Sequence, residues 1–162
     1  MVDSQDDLPH EYWMFSGIIG MTISAKTEYA CIAVTELASH FGTGKPIRVR
    51  AIADAHGIPS RFLVQILLQL KSAGLVNSVR GAGGGYLLVL PPDEITLGQV
   101  MSLIAGRVET IESNIPSTTP ISTALVEAWQ EVEQMRNGKL NEITFADLLE
   151  RAADQAENMY YI

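Results

Sequence analysis

One cysteine, Cys31, stands in a chain of 162 residues. A lone thiol excludes an intramolecular disulfide and any cage built from several cysteines of one chain, and it fits a reducing compartment. Long apolar runs are missing as well. No stretch approaches the ~20 residues of a spanning helix, so no membrane insertion is expected. The apolar stretch Trp13 to Met21 follows acidic residues, whereas a secretory leader opens with positive charge and closes on a small-residue cleavage site. The three histidines, His10, His40 and His56, have no ligand-like spacing. No Cys–His, Ser–His or paired-carboxylate set can be assembled into one pocket from the sequence, so an enzyme is not expected. What remains is the profile of a cytoplasmic globular protein.

The hydrophobic content of 47% is ample for one core, and the length suits one domain with appendages. A net charge of −8 argues at first against a polyanionic partner, but the charge is unevenly spread. Residues 1–21 hold four acids and no Lys or Arg. Residues 22–90 hold seven Lys/Arg against three acids, and residues 91–162 hold four against twelve. A basic middle beside an acidic C-terminal third suggests a polyanion-binding module joined to a solvating or assembling element.

Residues 1–20 show no sustained period and are expected to be a mobile extension, with Met21 an alternative start. From there, Ala30, Ala33 or Val34, Leu37 and Phe41 recur on one helical face. Thr22 or Ser24 can cap that helix, and Gly42 and Gly44 end it. A short helix from about Val49 to His56 stops at Gly57. The next begins at Pro59 and closes at Gly74. In it Phe62, Ile66, Leu70 and Ala73 are expected inward, with Arg61, Gln65, Leu68 and Ser72 on another face. Two helices across a tight turn make a helix-turn-helix. Leu75 to Arg80 and Tyr86 to Leu90 read as strands, the second ended by Pro91-Pro92. A short helix capped by Thr96 follows, then a Pro/Ser/Thr-rich loop. Beyond it the sequence predicts a helix over 121–135 striped by Ile121, Leu125, Ala128, Trp129 and Val132. A last helix is opened by a Thr144–Asp147 capping box. The fold expected is mainly α with a small β-hairpin, in the order of a winged helix.

Between the two strands lies "RGAGGGY", four glycines in five positions behind Arg80. It is no P-loop, because no lysine follows, and no dinucleotide fingerprint, because Tyr86 takes the sixth place from Gly81 and opens a strand. A merely flexible hairpin turn is one reading. The other is a wing tip, where glycine lets backbone approach a phosphate or groove floor and Arg80 enters a narrow minor groove.

The segments "SAKTEYACIAVTELA", "IADAHGIPSRFLVQILLQLKSAGLVNSVRGAGGGYLL" and "ITLGQVMSLIAG" resemble bacterial winged-helix regulators of the Rrf-two family, the IscR and NsrR types among them. The resemblance runs from Met21 to about Leu149, and "LKSAGLVNSVRGAGGGYLL" is its most specific part. It implies a sequence-specific transcriptional regulator of the repressor kind, acting as a homodimer on palindromic double-stranded DNA. The second helix of the helix-turn-helix would enter the major groove and the wing the minor groove. The implied contacts are Ser60, Arg61 and Gln65 on the recognition helix, Arg80, Gly81 and Ala82 at the wing, and Lys26 and Tyr29 beside phosphates. Chemically, Arg61 suits guanine or a phosphate and Gln65 suits adenine, while Val64 can touch only a thymine methyl. The Ile121–Val132 stripe, Trp129 included, would form the dimer interface. The chain thus divides into 1–20 as extension, 21–92 as DNA-binding region, and 93–162 as linker, dimerisation helix and C-terminal helix.

In one place the chain departs from its sensing relatives. They carry three cluster-binding cysteines in the loop at residues 107–120, which here contains none. Iron–sulfur clusters are held mostly by thiolates, so no such cofactor is expected, and Cys31 reads as a small core residue. The signal would then come from a small-molecule or protein effector, or from oxidation of Cys31 if that thiol is exposed. The competing reading of the whole chain is a winged-helix module for protein–protein contact, without specific DNA binding.

Overall fold

A computed structural model of the chain describes residues 23–106 and 111–160. The expectations for the 1–20 extension, the start at Met21, the Thr22 cap and residues 107–110 of the loop lie outside the described residues. Helix α1 spans Ala25–Ser39, α2 Val49–His56 and α3 Ser60–Ser72. Strands β1, Val76–Val79, and β2, Gly85–Leu88, form an antiparallel hairpin with Val76 opposite Leu88 and Val79 opposite Gly85. Helices α4, Leu97–Ala105, α5, Pro120–Glu142, and α6, Phe145–Tyr160, complete the chain.

The helix starts follow the capping chemistry of the sequence. Ser24 Oγ accepts the Thr27 amide at 3.2 Å, and Thr96 Oγ1 accepts that of Gln99 at 3.2 Å. At α6, Asp147 accepts from the Thr144 amide at 2.8 Å while Thr144 Oγ1 accepts from the Asp147 amide at 3.1 Å. Those bonds to Thr144 hold the Asp147 carboxyl below its ordinary range. The depressed value means that this carboxylate supports α6 above the usual aspartate range and loses that support as pH falls. A reciprocal pair between Thr119 and Ser122 opens α5, with the amide of each meeting the other's hydroxyl at 2.9 and 3.1 Å. The α2 stop is at Gly57, which is left-handed (φ 65°).

One core unites the chain. Ala30, Val34 and Leu37 from α1 meet Ile52, Leu63, Ile66, Leu67 and Leu70 from the helix-turn-helix, and Val76 and Leu88 from the hairpin. Ile95, Val100, Ile104 and Phe145 belong to the same cluster, so packing continues past residue 92. The α6 start is stitched to the segment before α4: Leu97 N–H donates to Ile143 O at 2.8 Å and Phe145 N–H to Ile95 O at 3.0 Å.

Three expectations are corrected. Phe62 and Ala73 do not face inward; both are exposed, and Leu63 and Leu67 take the core positions beside Ile66 and Leu70. At ~100° per residue the centre of the buried arc lies about a quarter turn from Phe62, so that ring sits at its margin. Phe41, beyond the end of α1, is also exposed. Third, α5 continues past residue 135 to Glu142.

Candidate nucleic-acid interface

The exposed face of α3 follows from the buried one. With Leu63, Ile66, Leu67 and Leu70 inward, helical geometry places Arg61, Gln65, Leu68 and Ser72 on the opposite side of α3. All four are exposed, as is Val64. No hydrogen-bond partner among the described residues holds Ser60 Oγ, the Gln65 amide or the Arg80 guanidinium. The Arg61 guanidinium rests over the Phe62 ring, 4.9 Å from its centroid. Exposed Phe62 thus acts as a platform for that cation, a contact of about 0.5–1 kcal/mol at such a surface.

The hairpin is fastened on two sides. Lys71 Nζ, near the end of α3, donates to Ser78 Oγ on β1 at 2.6 Å. On the other side, Ile47 pairs with Tyr86 through both backbone bonds, Ile47 N–H to Tyr86 O at 3.0 Å and Tyr86 N–H to Ile47 O at 2.8 Å. The segment before α2 therefore adds a one-residue third strand to the sheet.

Two of the loop glycines owe their identity to these approaches. A Cβ on Gly85 would lie 2.4 Å from Ile47 O, and one on Gly84 would lie 2.3 Å from Val79 O. Gly84 N–H closes the tip on Gly81 O at 3.0 Å. Arg80, Gly81 and Ala82 all lie exposed at this tip.

Electrostatics favour the same face. Of the seven cations in residues 22–90, only Arg50 pairs with a carboxylate among the described residues, Asp54 at 3.7 Å. In α5, by contrast, Arg136 pairs with Glu133 and Lys139 with Glu142. The basic charge is thus left for an external anion, while the α5 cations are neutralised locally. Lys26 is exposed and has no partner among the described residues. Tyr29 is half-buried against the core, so only part of its ring is available.

Every residue of the Ile121, Leu125, Ala128, Trp129 and Val132 stripe is exposed in part or in full, and Met135, absent from the expected stripe, extends it by a turn. No residue of the 23-residue α5 is buried.

Cys31 is half-buried on α1 and lines a half-open apolar cavity of about 310 Å³ with Ile32 and Met101. Burial pushes its thiol from 9.0 up to about 11. The stability linked to the protonated thiol is complete below pH 9 and is lost as pH rises toward 11. Because the thiolate is the nucleophile, Cys31 is expected to alkylate with iodoacetamide at neutral pH at least about tenfold more slowly than an unfolded control. Equal rates in folded and unfolded protein would show the thiol to be free of this environment.

No described helix is long and apolar enough to cross a membrane. Among the described residues, no three His, Cys, Asp or Glu side chains gather to hold a metal ion.

Comparison with known proteins agrees with this architecture. Residues 23–151 match the Rrf2 family, described as an iron-dependent transcriptional regulator. The chain is 33% identical over 134 residues to the HTH-type transcriptional regulator IscR of Serratia proteamaculans, covering 80% of this chain and 79% of that one. It is 34% identical over 146 residues to the HTH-type transcriptional regulator CymR of Bacillus subtilis, covering 88% of this chain and all of the relative. Among solved structures, T. potens IscR superposes with a TM-score of 0.66 at 33% identity, over 84% of this chain and 91% of that one. The winged helix, its exposed basic residues and these matches lead to one conclusion: the chain belongs to the Rrf2 family and is a DNA-binding transcriptional regulator.

Proposed function

We propose that the protein acts as a homodimer on a palindromic operator and represses by occupying it. Helix α3 enters the major groove with Ser60, Arg61 and Gln65 at the bases or their phosphates, and the Arg80–Ala82 tip enters the flanking minor groove. Lys26 and Tyr29 stand at the backbone. The observation that carries this reading is the α3 face itself, exposed with Arg61 and Gln65 free of hydrogen-bond partners among the described residues, set opposite the core and beside an anchored basic wing. A protein-binding module would need no such unneutralised charge. Two-fold DNA requires two reading heads at fixed spacing, and the bare stripe of α5 supplies a surface that a second copy can bury.

An iron–sulfur cluster does not fit the residues present. The 107–120 loop offers no thiol, and the raised Cys31 value disfavours the thiolate that such centres use. The regulatory signal therefore enters through a small-molecule or protein effector.

The test is a gel shift against the DNA upstream of the protein's own gene. The wild type should bind with a steep fall in affinity as salt rises, since each neutralised phosphate releases counterions. Arg61→Ala should lower specific affinity by about tenfold or more, as for loss of a base or charged phosphate contact. Binding that ignores both the salt and Arg61 would defeat the assignment.

A further inference from the structure

We infer that Arg48 is a positioning residue of the DNA wing, holding its glycine tip in the DNA-reading shape before DNA arrives. Arg48 precedes α2 at the N-cap position, yet its side chain makes no capping bond there. Its Nη2 instead donates to the backbone oxygen of Ala82, at the turn of the wing and 34 residues away in sequence. The neighbouring residue, Ile47, makes both backbone bonds to Tyr86. Successive residues thus grip the wing twice, on strand β2 by backbone and at its tip by a charged side chain.

The glycines make the second grip necessary. Gly84 and Gly85 permit the close approaches described above, but the four glycines of the tip also have the largest conformational freedom to lose on ordering. A tip with that composition would be ordered at the moment of binding, at a cost to affinity. A guanidinium fixed on the Ala82 carbonyl moves part of that ordering into the free protein. It also places a second cation at the tip, beside Arg80, from a different segment of the chain. Arg48 has no carboxylate partner among the described residues, so nothing competes with Ala82 for its charge.

This inference rests on the proposed reading of the wing, and its test separates the two. Amide exchange of free protein reports the grip without DNA. The Gly84 amide, bonded to Gly81 O at 3.0 Å, should exchange at least about fivefold faster in Arg48→Ala than in wild type, while amides of α1 and α3 stay unchanged. On a selected operator, Arg48→Ala should weaken binding roughly tenfold. Hydroxyl-radical protection should be lost in the flanking minor grooves and guanine N7 protection kept in the major groove. Arg80→Ala should cost much less in the Arg48→Ala background than alone, since a loose tip no longer places Arg80. Arg48→Lys, which keeps the charge but not the forked geometry, should restore only part of the affinity. Three results would overturn the inference: an unchanged Gly84 exchange rate, additive effects of Arg48 and Arg80, or full recovery by lysine with only the salt slope reduced. The last would make Arg48 a plain phosphate contact. If the wild type selected no operator, the functional reading would fail and the exchange result would still stand on its own.

Discussion

Leu125→Glu is expected to yield a monomer that binds its operator about a thousandfold more weakly at submicromolar protein. Leu125 lies in the middle of the Ile121–Met135 stripe, 48% exposed in the isolated chain. In a two-fold dimer the substitution enters the interface twice. Each copy would bury an ionised carboxylate without a partner, at a cost of several kcal/mol. Loss of the second reading head removes the gain from linked half-sites, on the order of 10²–10⁴ in affinity. Sedimentation would show the change in mass and gel shift the change in affinity. A dimeric Leu125→Glu protein, or a wild type already monomeric at micromolar concentration, would remove α5 from the assembly.

The second large effect is expected at Gly85. Alanine there would press its Cβ to 2.4 Å from Ile47 O, 2.5 Å from Ile47 C and 2.9 Å from Arg48 N, all backbone atoms. No rotamer change relieves such a contact, so the segment before α2 must leave the hairpin and give up both Ile47–Tyr86 bonds. Overpacking and the lost bonds together cost about 3 kcal/mol, a fall in melting temperature of roughly 10 °C for a chain of this size. The wing would lose its seat, and specific DNA affinity should fall by at least tenfold while α3 keeps non-specific binding. Gly83, whose added Cβ would meet nothing within 4 Å, is the control: its alanine variant should melt like wild type. A Gly85→Ala protein with wild-type melting would show that the Ile47 approach is not tight.

Those two positions show what could be read in the sequence and what could not. Caps are local, and Ser24, Thr96 and the Thr144–Asp147 box each lie within three or four residues of the amide they satisfy. The exposed face of α3 was legible because Arg61, Gln65, Leu68 and Ser72 repeat at helical spacing. The inward face was displaced by the pull of a single aromatic: Phe62 suggests core by its size, but Leu63 centres the arc better with Ile66, Leu67 and Leu70. Helix α5 outran its expected end because the apolar stripe that marked it stops near Val132, while the helix runs on to Glu142. There Gly98 lets α4 and α5 come close, since a Cβ on it would meet Asn141 Oδ1 at 2.3 Å. The glycine run raised the right question with half an answer. Its need for an exposed tip was visible, but its contact with Ile47 and the Arg48–Ala82 bond join segments more than thirty residues apart, and no local pattern records them.

The central claim is that two copies of the α3 face and wing read two-fold DNA. Selection from a random duplex library by the full-length protein tests it most directly. The expected result is one enriched inverted repeat whose half-sites are spaced by about one helical turn, bound by two protomers per duplex and no longer enriched when Arg61 and Arg80 are both replaced by alanine. Enrichment of no sequence, or of a single unpaired half-site bound by one protomer, would contradict it.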